Sequence, residues 1–326
     1  MSDVTSSLPR EVRDCFERFL TCEYVTVDSR QRPIVWPVTP YYRHGAATID
    51  VTTGLGYPKK ADDAARNPHV ALLFSDPTGS GLGGDVRVLV QGTAEVDDRD
   101  LDANRERYWR ESWEKLPGIR RMHPPRALRG LFGWYYTRIY VKVRPERIFV
   151  WRDGDQSEPP ELLDAHLEEV RSGHSEEPLE PHEPAEGGPR VEDPRLDELG
   201  SRHPTAVLGW VAPDGFPLAA RMPVRAEADT GRIAIEGEPA GLPLTPGRAC
   251  LVAHAHDEAF SWQENFQVRG DLVRSGERWA LVPHKLVGGF ELPDESTAAR
   301  YRRNLRKAIR FRRTAHRRSR RPASGS

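Results

Sequence analysis

The chain contains the same order of predicted elements twice. Each copy has two strands joined by a turn, a third strand, a short connector, an apolar strand and a long strand. The apolar and long strands are residues 70–74 and 86–96 in the first copy, and residues 249–254 and 266–273 in the second. Short strands separated by turn residues favour small antiparallel barrels. Because the repeat unit of about 100 residues is much longer than a solenoid unit, the sequence predicts a mainly β protein with two related barrel domains.

Two charged segments mark the limits of these domains. Over 326 residues the chain has 48 Lys and Arg and 49 Asp and Glu, which gives a formal net charge of −1. Residues 152–199 contain 16 acids and 4 arginines, whereas residues 300–326 contain 12 basic residues and no acid. An acidic stretch rich in Pro and Glu is typical of a linker. We predict a first barrel over residues 1–152, an acidic linker over 153–195 with one helix at 162–170, a second barrel over 196–293, and a basic helical or disordered tail over 294–326.

Composition excludes several classes of protein. No apolar run reaches the roughly 18 residues that a membrane-spanning helix needs, and the N-terminal residues lack the basic and apolar regions of an export signal. The three cysteines, Cys15, Cys22 and Cys250, form no Cys-x-x-Cys pair and indicate buried thiols in a reducing compartment. We therefore expect a cytoplasmic protein with no membrane span. His254 and His256 share one strand face, but no third ligand follows at a metal-like spacing, so no metal site is predicted.

One stretch of the first barrel resembles a known family. Residues 49–60 read IDVTTGLGYPKK, residues 66–74 read RNPHVALLF, and residues 90–96 read VQGTAEV. This order of a strand ending in Thr, a loop with a basic pair, an Asn-Pro and two strands resembles the pyridoxamine 5′-phosphate oxidase-like superfamily. The resemblance covers about residues 15–152, and a weaker one covers residues 200–292. It implies flavin-binding split β-barrels, here two in tandem with the second degenerate.

The resemblance implies a phosphate cradle at the basic pair. A loop that enters a helix offers free backbone N–H groups and the positive end of the helix dipole. Lys60 takes the position of the family's phosphate-contacting lysine, and Lys59 stands where relatives often carry Arg. Thr52 and Thr53 offer hydroxyl groups beside them. The alternative interpretation of the pair is two solvated lysines at the start of a surface helix.

The flavin ring needs an apolar surface and one polar edge. By the same resemblance, Trp36, Pro37 and Val38 lie on the strand that faces the ring, and Gln91 lies on a strand that runs near the cofactor. Trp36 is equally well interpreted as an ordinary core aromatic. A further patch of aromatic residues with one arginine leads into the last strand and is interpreted either as a substrate-pocket wall or as alternating core and surface. Its members are Trp134, Tyr135, Tyr136 and Arg138.

The second barrel departs from the family at the cradle. Residues 238–248 contain three prolines and no lysine, so we predict that this barrel has lost its cofactor site. Split-barrel relatives usually pair as homodimers with the flavin at the interface. The second barrel is therefore expected to act as an internal partner, giving a pseudo-dimer within one chain, with a homodimer of chains as the alternative.

The resemblance implies an oxidoreductase that uses FMN, or the deazaflavin coenzyme F-420, on a small-molecule substrate. No residue is assigned as a catalytic acid or base. One alternative is a non-catalytic module that binds flavin or haem, for which the candidate axial ligands are His203, His254 and His284. Another is binding of nucleic acid or a different anionic polymer through the basic residues 300–321.

Overall fold

The computed structural model describes residues 8–118, 133–164 and 191–288. The first half of the chain contains α1 (Arg10–Arg18), β1 (Cys22–Val27), β2 (Pro33–Val38), β3 (Ile49–Gly54), α2 (Lys59–Arg66), β4 (His69–Phe74), β5 (Arg87–Asp97), α3 (Leu101–Lys115), α4 (Gly133–Tyr136), β6 (Arg138–Trp151) and β7 (Glu161–Asp164). The second half contains β8 (Thr205–Val211), β9 (Pro217–Glu227), β10 (Arg232–Ile235), β11 (Gly247–His256), β12 (Gln263–Ser275) and β13 (Arg278–Gly288). The predicted mainly β fold is confirmed.

The two sheets have the same strand order. In the first sheet the order is β2-β1-β4-β5-β6-β3, and β7 adds to β6. In the second it is β9-β8-β11-β12-β13-β10, and β10 also pairs with β9, so the sheet closes into a barrel. β2 and β3 form no ladder in the first sheet; Tyr41, which follows β2, bridges Asp50 of β3. The first sheet is therefore split between β2 and β3, whereas the second is closed.

A β-bulge lies at the same place in both sheets. The register between β5 and β6 shifts at Gly92, and the register between β12 and β13 shifts at Gly270. A Cβ atom on Gly92 would lie 2.0 Å from the carbonyl oxygen of Arg144, and one on Gly270 would lie 2.1 Å from that of Val282. Each bulge therefore requires glycine, because the partner backbone occupies the space of a side chain.

The barrels pack against each other through one apolar face. Val25, Val35 and Ala71 of the first sheet belong to the same buried cluster as the core of the second barrel. All six residues of β1 are buried, because one face of the strand points into its own barrel and the other points at the second barrel. Gly209 of β8 allows the closest approach, since a Cβ there would lie 2.4 Å from Cγ2 of Val35.

Helices cover the ends of the first barrel. α1 buries Val12, Cys15 and Phe16, which recur at spacings of three and four residues and thus share one face. α2 ends before Pro68, where the residue preceding a proline leaves the helical region. Of the helices in the described ranges, none is long and apolar enough to cross a membrane.

The linker region differs in one respect from expectation. Residues 161–164, predicted to lie in the linker and partly in its helix, form β7, which pairs antiparallel with β6 from Val150 to Arg147. The edge of β6 was open there, and an added strand satisfies its backbone groups. The remainder of the predicted helix, the central part of the linker (residues 165–190) and the basic tail (294–326) lie outside the described residues.

Candidate cofactor site at the end of strand β3

The loop between β3 and α2 folds back on itself. The Thr53 hydroxyl donates a hydrogen bond to the carbonyl oxygen of Tyr57 at 2.9 Å, and the Tyr57 N–H donates to the Gly54 carbonyl at 3.0 Å. The Tyr57 ring lies over Gly54, where a Cβ would come within 3.0 Å of it. Thr53 therefore shapes the loop, while the half-buried Thr52 lies opposite Tyr140 on the neighbouring strand.

Arg138, at the start of β6, lies directly opposite Gly54. Its side chain is buried, and it donates hydrogen bonds of 3.0 Å to the hydroxyl groups of both Tyr57 and Tyr108. The guanidinium carbon also lies 4.4 Å from the centre of the Tyr135 ring. The Nε atom has no partner among the described residues, and none of their carboxylates pairs with this side chain. A guanidinium is always charged in a protein, so Arg138 is a buried cation held by neutral phenols.

The two lysines of α2 have different surroundings. Lys59 is exposed, and its ammonium lies 2.7 Å from the Asp63 carboxylate. Lys60 is half-buried, and within the described ranges no carboxylate comes to ion-pair distance of it. Burial, and next to it the charge of Arg138, lower the pKa of Lys60 from 10.5 to about 8. Lys60 and Arg138 are thus two cations whose charges act on one another and which have no carboxylate counterion in the described part of the chain.

Two cations without a counterion are electrostatically unfavourable. Two like charges in a partly dry environment repel one another, and each also loses hydration. An anion with several acceptor oxygens would relieve both effects, and a phosphate group is the natural candidate beside the start of a helix. The sequence singled out Lys60 for this position but placed Arg138 only in an aromatic patch. Arg138 is the first residue of β6 and lies opposite Gly54 in the loop. This position could be recognised only once the register between β3 and β6 was known.

The residues predicted to face the flavin ring lie on β2. Trp36 is half-buried and pairs with Tyr24 of β1, and Val38 is buried in the core of the first barrel. Pro37 is half-buried on the opposite face of the strand, which it shares with Val35. Trp36 is the aromatic residue of β2, which is an edge strand of the split first sheet.

Gln91 faces the second barrel. Its side-chain amide donates a hydrogen bond of 2.8 Å to the carbonyl oxygen of Pro217, and its Oε1 atom is buried without a partner among the described residues. In the other direction, the amide of Gln267 donates to the Val35 carbonyl at 2.5 Å. These two glutamines join the barrels, so the Gln91 side chain that was predicted to lie near the cofactor instead bonds the second barrel.

A buried polar network between the barrels was not predicted. Glu23 of β1 lies 2.6 Å from Nε2 of His254 and accepts hydrogen bonds from Arg221 at 3.0 Å and Ser75 at 2.8 Å. Burial by itself raises the pKa of Glu23, but the hydrogen bond to His254 and the charge of Arg221 bring it below its ordinary value. Sequence reasoning missed the network because its members lie on separate strands of two barrels.

Of the histidines considered as ligands, His254, His256 and His284 have polar protein partners, whereas the buried Nε2 atom of His203 has no hydrogen-bond partner among the described residues. His254 belongs to this network, His256 lies 3.1 Å from the hydroxyl of Thr21, and His284 lies 3.2 Å from Asp271. The His203 ring packs edge-on against Phe266. Within the described residues, no group of three or more His, Cys, Asp or Glu side chains is arranged to hold a metal ion. The side chain of Trp134 lies outside the described part of the chain.

Comparisons with known proteins give the following matches. No family model and no curated protein matches the chain. A solved structure of a conserved hypothetical protein from Mycobacterium tuberculosis has a TM-score of 0.34 and 18% identity, over 47% of this chain and 89% of that one. A protein related to general stress protein 26, of the pyridoxinephosphate oxidase family, from Clostridium acetobutylicum has a TM-score of 0.34 and 14% identity, over 48% and 92%. An F420 reductase has a TM-score of 0.32 and 19% identity, over 43% and 98%.

The family named for the second of these structures is the one that residues 49–74 and 90–96 resemble. At these TM-scores the likeness transfers neither an activity nor a residue role to this chain.

Proposed function

We propose that this chain binds a phosphate-bearing flavin-type cofactor, FMN or the deazaflavin coenzyme F-420, at the β3–α2 loop, and that it acts as an oxidoreductase on a small molecule. The observation that carries the proposal is the pair formed by Lys60 and Arg138, two neighbouring cations with no carboxylate partner among the described residues. The resemblance of residues 49–74 to the flavin-binding superfamily supports the same position independently.

Each residue of the loop has a definite task in this proposal. Lys60 and the Nε side of Arg138 bind the phosphate, and the N–H groups at the start of α2 add donors. Lys59 contributes less, because Asp63 already neutralises it. Thr52 contributes a hydroxyl, and Thr53 keeps the loop closed through its bond to Tyr57.

The ring end of the cofactor is assigned to the open edge of the first sheet. Trp36, Pro37 and Val38 of β2 supply apolar surface there. Gln91 lies on β5, and its unpartnered Oε1 atom is in the contact with the second barrel. When bound, the cofactor supplies two-electron transfer to or from the substrate, while the protein orients it and excludes water. No side chain is assigned as acid or base.

The second barrel is proposed to act as the internal partner of the first. The identical strand order, the matching bulges and the shared apolar face support a duplicated barrel that has become a pseudo-dimer. This arrangement predicts one cofactor per chain. A measured stoichiometry of two cofactors per chain would exclude it.

The test begins with the full-length chain as purified. We expect an absorbance spectrum of a flavin or deazaflavin, with mass spectrometry identifying which; FMN once reduced would react rapidly with oxygen, whereas a reduced deazaflavin would not. Lys60→Ala should release the cofactor. Lys142→Ala is the matched control, because the Lys142 ammonium already has a carboxylate partner, Asp97, at 2.8 Å.

The outcomes separate the alternatives. Equal retention of cofactor in both lysine variants would refute the cradle. If the unmodified chain retains the cofactor but shows no turnover with any reductant, a non-catalytic binding module is favoured. A haem spectrum would show that the bound cofactor is haem and not a flavin. Binding of nucleic acid through residues 300–321 stays a separate prediction, since those residues lie outside the described part of the chain.

A further inference from the structure

The amine of Lys60 is open to solvent and has no partner in the described part of the chain. The side chain is half-buried in the first turn of α2 and makes no hydrogen bond and no ion pair with the described residues. Its nitrogen is also not one of their unpartnered polar atoms that are closed to solvent. A small molecule can therefore reach this amine.

The surroundings of the amine favour its neutral form. Partial burial and the charge of Arg138 both disfavour an ammonium ion, and they lower the pKa of Lys60 to about 8. Cys22, another titratable group that acts on Lys60, stays a neutral thiol, because burial raises its pKa well above the ordinary value. At about pH 7.4, such an amine is neutral on the order of 100 times more often than an ordinary lysine side chain. Desolvation and a neighbouring cation are what make a lysine nucleophilic.

Lys115 provides a comparison within the same chain. Burial lowers its pKa to about 8 as well, but its ammonium donates a hydrogen bond of 2.6 Å to the carbonyl oxygen of Pro40. The amine of Lys115 is thus held against the backbone, whereas that of Lys60 is not. A reaction that needs a reachable neutral amine should therefore select Lys60.

An electrophile that carries a negative charge fits this position best. None of the described carboxylates pairs with Arg138, so its positive charge is left to attract an anion. No side chain caps the first turn of α2, and its backbone N–H groups are therefore available to a carboxylate.

We propose that Lys60 forms an imine with a small aldehyde that carries a carboxylate group. The lone pair of the neutral amine forms a bond to the carbonyl carbon, and the π bond of the C=O group breaks as its oxygen takes a proton from the nitrogen. The resulting hydroxyl group then leaves as water with the second amine proton, and the C=N bond forms. The step is redox-neutral and requires no co-reactant. It rests on the same two cations as the proposed cofactor site, but not on a bound cofactor.

The test uses the full-length chain, dialysed at high salt until no cofactor absorbance remains. Glyoxylate is the probe, cyanoborohydride reduces the imine, and peptide mass mapping locates the carboxymethyl groups. The mapping is simple because the chain has only six lysines, at positions 59, 60, 115, 142, 285 and 307. We expect Lys60 to be labelled about 10-fold or more faster than Lys115 and the exposed Lys285.

Two variants and a second aldehyde serve as controls. Lys60→Arg keeps a positive charge but has no nucleophilic amine, so the fast phase of labelling should disappear. Lys115→Arg is the matched control and should leave the labelling of Lys60 unchanged, with thermal melting showing that both variants remain folded. Acetaldehyde lacks the carboxylate, so its ratio of Lys60 to Lys285 labelling should be smaller by about 3-fold or more.

The outcomes separate this proposal from that of the cofactor site. Labelling of Lys60 no faster than that of Lys285, equally fast labelling of Lys115, or an equal ratio with acetaldehyde would overturn it. Fast labelling of Lys60 in a chain that binds no flavin would support it and exclude the proposed cofactor. Slow labelling of Lys60 in a chain that binds flavin, once the flavin is removed, would do the reverse.

Discussion

Replacing Lys60 with Met tests the cation pair without any knowledge of the ligand. In the ligand-free folded chain the pKa of Lys60 is lowered to about 8, whereas the unfolded chain has the ordinary value of 10.5. Between these two values the unfolded state binds more protons at this residue than the folded state, so stability rises with pH in that window and the full penalty is present below pH 8. At about 1.4 kcal/mol per pKa unit, the penalty is at most about 3.5 kcal/mol.

The measurement is a comparison of unfolding free energies by denaturant titration from pH 7 to pH 10. Lys60→Met should be the more stable protein at pH 7, and its advantage should shrink by about 1 kcal/mol per pH unit above pH 8. Two other buried groups titrate in both proteins. Burial lowers the pKa of Lys115 to about 8 and raises the pKa of Cys15 to about 12. Their effects cancel in the difference, which isolates Lys60.

Inorganic phosphate provides the second half of this test. Added at pH 7, it should stabilise the unmodified chain and have little effect on Lys60→Met, because only the former keeps both cations. A stability difference between the two proteins that stays constant from pH 7 to pH 10 would refute the reasoning, and so would equal stabilisation of both by phosphate.

Three further predictions concern the fold and are checked by denaturant unfolding. Glu23→Gln should lower the free energy of unfolding by about 3 kcal/mol, because a buried ion pair loses one member. The pKa of Glu23 in the folded chain is below its ordinary 4.5. In the unmodified chain, the stability that this ion pair provides should therefore be lost as the pH falls below 4.5. Gly92→Ala should lower the free energy of unfolding by about 3 kcal/mol or more, because its Cβ would lie 2.0 Å from a carbonyl oxygen. Its control is Gly83→Ala, which has open space around it and should change the free energy of unfolding by less than about 0.5 kcal/mol. Gly209→Ala should cost about 1–3 kcal/mol by separating the barrels at Val35, and a neutral result would contradict the observed packing.

The strands of both barrels could be predicted because their signals are local. Runs such as residues 70–74 and 249–254 are apolar and bounded by turn residues, and they form β4 and β11. The positions of the two bulges make Gly92 equivalent to Gly270, which the hydrophobic pattern alone does not show. A bulge adds one residue to one strand only, and a hydrophobic pattern does not reveal where that residue is inserted.

The contacts between the barrels could not be predicted in the same way. A strand buried on both faces has the same sequence pattern whether its outer face packs against a helix or another barrel. Gln91 is one such case: its position on β5 was predicted, but its hydrogen-bond partner, Pro217, lies 126 residues away in the chain. Partners separated in this way depend on the docking of two folded units, which local sequence does not encode.

The register of the last strands supports the proposal that one chain holds one cofactor. Pro145 of β6 and Pro283 of β13 occupy equivalent positions, opposite the bulge glycines Gly92 and Gly270. Counting seven residues back from each proline leads to Arg138 in the first sheet and to Gly276 in the second. Gly276 lies in the tight turn between β12 and β13 with a φ of 62°, a conformation that favours glycine. The second barrel thus lacks a counterpart of Arg138, just as it lacks one of Lys60, and its closure through β9 and β10 removes the open edge. Restoring one lysine there should therefore not create a second site, because neither the other cation nor the opening is present.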